Sequence, residues 1–388
     1  MRRRRAKPTK AWKGSILTRR KMNTTMTSQR KTKMGRSLDK KKVILGLSGG
    51  VDSTTAALLL QKQGYEVTGL YFDVSRENIE GRRAAEQAAN ELGIPFLYEN
   101  VHDSFEKTVV ENFCGEYLAG RTPNPCVVCN PGIKFQTLIK AADQEGAFHI
   151  ATGHYARTVY TPETGWTIRQ AASEKKDQSY MLYRLPASVI ERLLLPLANM
   201  EDKEAARKIA RKEGMFNAEA KDSQEICFLG DNENYVDFIR NRGFQIQEGE
   251  FINKKGEVLG RHKGLLYYTI GQRKGLGITF GKPVFVTRMD PAAGTVELGE
   301  QEDLFSREVI CAGSFFPSSG NETMPAFLEG RQIKAKIRYA AKPAAARIES
   351  LADGRIKTIF ETPQRAATPG QSIVFYAGDQ VVGGGFIK

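Results

Sequence analysis

Lys41-Lys42-Val43-Ile44-Leu45-Gly46-Leu47-Ser48-Gly49-Gly50-Val51-Asp52-Ser53-Thr54-Thr55-Ala56-Ala57-Leu58-Leu59-Leu60 is the stretch on which the fold turns. Its first seven residues read as a buried parallel strand, an apolar run without alternation. From Thr54 to Gln63 the pattern is helical, with Gly64 as the expected C-cap. Between them lies a turn with two consecutive glycines, so backbone N–H groups and a helix N-terminus converge where an anion can lie. Working outward, Tyr65–Val74 and Ile94–Val101 read as further strands, with helices expected over 77–92 and 103–119. A helix over 133–146 then leads to the strand Phe148–Thr152 and to Gly153, where a bare backbone can approach a ligand closely. Strands and helices alternating at this spacing predict an α/β fold with a doubly wound parallel sheet. Ligands of such sheets bind beyond the carboxyl ends of the strands, where the glycine turn lies.

The turn has no Gly-x-x-x-x-Gly-Lys-[Ser/Thr] lysine and no Gly-x-Gly-x-x-Gly. It resembles the Ser-Gly-Gly-x-Asp-Ser signature of PP-loop ATP pyrophosphatases, which cleave ATP between the α and β phosphates and adenylate a substrate oxygen. That resemblance implies ATP as cofactor, bound over Gly46, Leu47, Ser48, Gly49, Gly50, Val51, Asp52 and Ser53. The Ser48 and Ser53 hydroxyls are expected to add donors, and Asp52 to hold Mg2+ or orient the nucleotide.

At 388 residues the chain suits two or three domains. The division expected is a disordered basic tail over 1–40, a nucleotide-binding domain over 41–225, a central domain over 226–304 and a C-terminal β-barrel over 305–388. Glycines become frequent after about residue 236, and short alternating strands follow residue 305. In Gln332–Tyr339, Ile333, Ala335, Ile337 and Tyr339 share one expected face; Lys334, Lys336 and Arg338 share the other, which reads as solvated. The formal charge of +14 is concentrated at one end. Residues 1–42 carry 17 Lys/Arg against Asp39 alone, a net of +16 that leaves the remaining residues at −2. That segment reads as a basic arm for RNA phosphate, an organellar transit peptide, or sequence upstream of a later start at Met22, Met26 or Met34. No apolar run approaches the ~18 residues of a membrane helix.

The five cysteines, Cys114, Cys126, Cys129, Cys227 and Cys311, favour thiol chemistry or metal binding over structural disulfides. Cys126 and Cys129 lie in Arg121-Thr-Pro-Asn-Pro-Cys-Val-Val-Cys-Asn-Pro-Gly-Ile-Lys-Phe135, where three prolines and a glycine predict an irregular, stiffened loop. A Cys-x-x-Cys pair is a redox couple, half a zinc site or part of an iron–sulfur site, and no second close pair completes a zinc ribbon. Lys134 and Arg121 offer local positive charge that would lower a thiol pKa.

Ser48–Ser53, Thr122–Phe135, Gly153-His154-Tyr155-Ala156, Lys176-Asp177-Gln178-Ser179-Tyr180, Ser223–Phe228, Tyr268–Gly277, Pro369-Gly370-Gln371 and Gly383-Gly384-Gly385 stand in an order that resembles the tRNA-specific 2-thiouridylase family. The resemblance runs from about Lys41 to the C-terminal motifs. It implies an ATP-dependent sulfurtransferase that adenylates the C2 oxygen of the tRNA wobble uridine and releases AMP and pyrophosphate. The family's nucleophile falls on Cys129 and its persulfide carrier on Cys227, leaving a Cys129–Cys227 disulfide after turnover. Phe72 and Gly153 match further nucleotide contacts. Asn124, Pro125 and Cys126 match the target-base loop, while Lys176, Asp177, Gln178, Arg338 and Tyr339 match tRNA contacts. The partners implied are tRNA and a cysteine desulfurase or sulfur-relay protein, in the cytoplasm, or in mitochondria if the basic segment is a transit peptide.

Many members of the family carry Asp where this chain has Cys126. An alternative therefore keeps the thiolation but routes it through an iron–sulfur cluster on Cys126, Cys129 and Cys227. Two other readings are a PP-loop ligase adenylating another substrate and a non-catalytic tRNA-binding protein; the first has no need of the two separated thiols, and the second leaves the intact Ser48–Ser53 turn unexplained.

Overall fold

The computed structural model describes residues 37–75, 79–220, 226–230, 233–279 and 281–388. The expectation of a disordered arm falls outside these residues up to position 36, as do Ser223, Gln224 and Glu225 of the second cysteine motif.

Strand β1 (Asp39–Gly46) lies between β2 (Glu66–Asp73) and β4 (Ala147–Ala151), with β3 (Phe96–Asn100) beyond β2. A hairpin of β5 (Arg157–Thr161) and β6 (Gly165–Arg169) follows, and β7 (Leu193–Leu194) then completes the sheet in the order β3-β2-β1-β4-β7, every pairing parallel. Both faces are covered. Ile44 packs into one core with Phe135, Leu138 and Ile150, while Val43 and Leu45 pack into another with Ala56, Ala57 and Leu60. Burial on two sides is why β1 reads as a continuous apolar run. Helix α1 (Val51–Lys62) leaves the end of β1, and α2 (Ile79–Leu92) returns the chain to β3. The α/β expectation holds, and the glycine turn lies at the carboxyl end of β1.

The helix expected over 103–119 is present as α3 (His102–Phe105), a π-helical turn (Glu106–Val110) and α4 (Glu111–Leu118). One expectation is overturned in the next segment: the cysteines are on a helix, not a loop. Helix α5 (Pro125–Cys129) passes through a π-helical turn (Asn130–Lys134) into α6 (Phe135–Glu145). Pro125 occupies the first helical position, where no N–H is needed and its fixed φ suits the helix. Pro131 lies inside the π turn, the wider spacing that accommodates a missing donor.

After α7 (Ala187–Ile190), α8 (Lys203–Lys212) packs on α1, and α9 (Tyr235–Asn241) packs on the 102–118 helix. A four-stranded sheet follows: β8 (Gly249–Ile252), β9 (Val258–His262), β10 (Phe285–Asp290) and β11 (Thr295–Gly299), in the order β10-β11-β8-β9. The remaining strands, β12 (Phe305–Phe315), β13 (Ile333–Lys336), β14 (Ala344–Ser350), β15 (Ile356–Arg365), β16 (Ser372–Ala377) and β17 (Gln380–Ile387), form a barrel. Because β12 pairs with both β15 and β17, its six strands close and leave no edge between them. The hairpin β5–β6 joins the outside of β17 through the Gln380–Arg169 pair.

The expected faces of 332–339 are partly overturned. Ile333, Ala335 and Ile337 are buried as read, but Lys336 is buried too, and Tyr339 is exposed. The strand ends at Lys336, so two-residue alternation stops there. The Lys336 ammonium lies 5.8 Å from the ring centre of Tyr180 and 5.4 Å from that of Tyr339.

Candidate active site

Gly50 begins α1 with extended backbone angles and no side-chain cap, so the first-turn N–H groups are uncapped by any side chain. Gly49 has φ +78°, and a Cβ there would stand 2.7 Å from the backbone of Ala84 and Ala85 in α2. Only glycine fits that approach. The two serine hydroxyls are turned onto the loop itself: Ser53 Oγ donates to Gly50 O at 3.0 Å and accepts from Ser48 N at 3.2 Å. Asn217, buried, donates from Nδ2 to Gly49 O at 2.6 Å and to Thr54 Oγ1 at 2.8 Å. Among the described residues its Oδ1 is buried without a hydrogen-bond partner.

Asp52 is held from two sides. Tyr155 Oη donates to its Oδ1 at 2.7 Å, and Lys203 Nζ lies 3.2 Å from its Oδ2. Lys203 opens α8, which Asp202 caps by accepting from Ala205 N at 2.8 Å. Helix α8 is fixed on α1 where Thr55 Oγ1 donates to Ala206 O at 3.1 Å. The loop lacks a lysine of its own, and α8 delivers one. Neither Lys203 nor Asn217 was read from the sequence. The one available signal is that a cation at the first helical position opposes the helix dipole, which asks for a local reason. Gly153 lies against the same turn: a Cβ there would meet the Asp52 and Ser53 backbone at 3.0 Å. The Phe72 ring lies 3.4 Å from where a Gly46 Cβ would stand.

The segment Lys176-Asp177-Gln178 supports this site from behind. Gln178 Oε1 accepts from Tyr155 N at 2.9 Å, and Gln178 N donates to Tyr155 O at 2.8 Å. Asp177 is buried and accepts from Ala171 N, Ser179 N, Ser179 Oγ and Gln170 Nε2 at 2.8–3.3 Å. Lys176 is half-buried. Tyr339 reaches the same segment, its ring 6.2 Å from that of Tyr180, and Arg338 Nη1 donates to Arg365 O at 3.4 Å.

Cys126 is exposed, Cys129 half-buried and Cys227 exposed, and all three are free thiols. Cys227 is brought near Cys129, 98 positions away in sequence, by its neighbour Phe228. Its ring packs 5.2 Å from Phe113, 5.6 Å from Phe105 and 5.3 Å from Phe238, in the cluster that also takes in Cys129, Ile226 and Leu229. Burial raises the Cys129 thiol pKa; Lys134 pulls it down and Cys126 pushes it up. Cys227 is pushed up to about 12 by crowding of its sulfur, then by Cys129 and Cys126, with Lys134 again opposing. The expected lowering by cations is therefore overturned: Lys134 acts on both thiols but burial outweighs it. Arg121 is committed elsewhere, donating twice to Glu116 at 2.6 and 2.7 Å. His154 is driven well below the usual imidazole range by burial and then by Lys134, so it is neutral at pH 7.

Asn124 precedes α5, its Nδ2 3.5 Å from Met181 Sδ, and Pro125 begins the helix. The structure brings Cys126, Cys129 and Cys227 within electrostatic reach of one another. Among the described residues, however, no three Cys, His, Asp or Glu side chains are gathered so as to hold a metal. Among the described residues no helix is long and apolar enough to cross a membrane.

Family models match most of the chain: "tRNA methyl transferase HUP domain" over residues 41–231, "tRNA methyl transferase PRC-barrel domain" over 236–300 and "Aminomethyltransferase beta-barrel domain" over 321–387. A tRNA-specific 2-thiouridylase MnmA of Clostridioides difficile is 45% identical over 361 residues, covering 90% of this chain and 98% of that protein. The protein of the same name from Acetivibrio thermocellus is 43% identical over 366 residues, covering 90% of this chain and 100% of that one. A third, from Clostridium acetobutylicum, is 44% identical over 361 residues, covering 90% and 99%. With relatives so alike over nearly their whole length, this chain belongs to the tRNA-specific 2-thiouridylase family MnmA.

Proposed function

We propose that the chain converts the wobble uridine, position 34, of tRNA to 2-thiouridine in an ATP-dependent reaction with two separately housed halves. In the first, ATP lies over Gly46–Ser53 with its phosphates at the uncapped start of α1, beside Phe72 and Gly153. The uridine C2 oxygen attacks the α-phosphorus, the bond from that phosphorus to pyrophosphate breaks, and pyrophosphate leaves. Lys203 moves from Asp52 to the departing phosphates and offsets their charge. Asp52, so released, would hold the Mg2+ that accompanies ATP.

In the second half the terminal sulfur of a Cys227 persulfide attacks C2, and AMP leaves with the former C2 oxygen. The Cys129 thiolate then attacks Cys227 Sγ and breaks its bond to the transferred sulfur. The product is 2-thiouridine with a Cys129–Cys227 disulfide; the two thiols have supplied two electrons, and an external thiol reductant restores them. A cysteine desulfurase or sulfur-relay protein recharges Cys227. Asn124, Pro125 and Cys126 border the target base, and Lys176, Arg338 and Tyr339 face the tRNA, with Asp177 and Gln178 holding that surface in shape. The domains divide as 41–225, 226–304 and 305–388, after a basic segment over 1–40, and the enzyme works in the cytoplasm. No step passes through an iron–sulfur cluster.

The observation that carries this reading is the meeting of Cys129 and Cys227 around Phe228, in the same domain as a phosphate-ready turn. The methyl-transfer wording of the matching models names a different reaction, one that would give neither a second thiol nor an ATP loop a task. The test is thiolation of unmodified tRNA by purified protein with ATP, Mg2+, cysteine and a cysteine desulfurase. Wild type yields 2-thiouridine with one AMP each; a tRNA that gains a methyl group, or nothing, contradicts the reading.

A further inference from the structure

Residues 121–124 precede the cysteine helix and belong to no strand or helix, so their backbone polar groups need partners from elsewhere. Arg121 N donates to Glu116 O at 2.9 Å and Asn124 O accepts from Val127 N at 3.2 Å, but the partners of Thr122 and Pro123 come from the far end of the chain. Thr122 N donates to Pro369 O at 2.8 Å. Gln371 Nε2 donates to Thr122 O at 2.8 Å and lies 3.3 Å from Pro123 O. Between them Gly370 has φ +89°, and a Cβ on it would stand 2.9 Å from Thr122 N and 3.0 Å from Thr122 O. The two backbones touch.

Gln371 is itself fixed by the turn that leads into β16 and by the end of β17. Its N donates to Thr368 O at 3.1 Å, and its O accepts from Ile387 N at 2.8 Å. Thr122 Oγ1 adds a contact at 3.5 Å to Thr269 Oγ1 in the segment between β9 and β10. The run that leads into Asn124-Pro125-Cys126 thus takes its geometry from the barrel more than from its own sheet.

We infer that Gln371 is a positioning residue for sulfur transfer: its side-chain amide, reaching from the C-terminal barrel, sets where α5 begins and so where Cys129 points. The inference rests on the thiolation reading and goes beyond it, because it makes the barrel part of the thiol site and not only a surface for tRNA. Gln371 touches neither ATP nor a thiol, so its loss is expected in turnover and not in nucleotide binding.

The test uses the full chain with Gln371→Glu, which keeps the shape but turns an oxygen toward two carbonyls, and Gln371→Leu. Four readouts are taken: thiouridine kcat, KM for ATP, melting temperature, and amide hydrogen exchange of residues 121–129 in the free protein. The expected result is a kcat lowered by about 10- to 100-fold, the scale of a small misplacement of reacting groups. KM for ATP and melting temperature stay at wild-type values while exchange over 121–129 speeds up. Wild-type kcat and exchange in both variants overturns the inference. So does a loss of kcat that comes with general barrel unfolding, seen as a lower melting temperature and faster exchange across β16 and β17. If wild type itself makes no thiouridine, the thiolation reading fails, and exchange over 121–129 still decides whether Gln371 grips the run.

Discussion

At the nucleotide turn, Asp52, Ser48 and Ser53 are hydrogen-bonded in place by neighbours within the α/β domain, and α1 and α8 are bolted together behind them. At the thiol site, Cys126 and Cys227 are exposed, and beside Cys227 the residues Ile226, Phe228 and Leu229 pack into an aromatic cluster with Phe105, Phe113 and Phe238. The first site is built before its ligand arrives. The second has its parts adjacent, with burial raising the pKa of both Cys129 and Cys227. One fold therefore houses two sites assembled in different ways, a turn held by its neighbours in the α/β domain and thiols brought together by aromatic packing.

The comparison breaks most sharply at the cysteines. Cys129→Ser and Cys227→Ser each lower thiouridine formation by a factor on the order of 10³ or more, as loss of a nucleophile does, while Cys126→Asp stays active. Mass spectrometry of digested tRNA measures this, and an inactive Cys126→Asp would give that residue a chemical role. Next comes Lys203→Ala, expected to slow tRNA-dependent pyrophosphate release by roughly 10²- to 10³-fold, the scale of one electrostatic stabiliser in a transition state. Nucleotide binding that falls equally would make Lys203 a mere ground-state contact. Phe228→Ala loosens the 226–230 segment and is expected to lower kcat about tenfold through misplacement, with pyrophosphate release untouched. The mildest test is pH. Because Cys227 is pushed up to about 12, its alkylation by iodoacetamide in the free protein rises about tenfold per pH unit from pH 7 to 10. A plateau below pH 9 would show an unperturbed thiol.

How much was legible follows from the same division. The Ser48–Ser53 turn could be read because strand, turn and helix are contiguous, so local chemistry suffices. Lys203 and Asn217 could not: Lys203 opens a helix whose Lys-Glu-Ala-Ala-Arg sequence reads as a solvated face, and Asn217 lies in the turns that follow that helix. The cysteine segment was misread as a loop because prolines were counted without their positions, and Pro125 at a helix start stabilises what Pro in mid-helix would break. That Cys129 meets Cys227 was carried by resemblance alone; the aromatic packing of Phe228 on Phe105, Phe113 and Phe238 is a tertiary fact with no local signature. Lys336 was misplaced for a simpler reason, the end of a strand that alternation could not see.

The central claim, that the two halves are separately built, is tested most directly by pyrophosphate release from Cys227→Ser in the presence of tRNA and ATP. The account predicts one burst of pyrophosphate per enzyme at the wild-type rate with no 2-thiouridine formed. A burst slowed as severely as thiolation would show that the thiols take part in adenylation, and would contradict it.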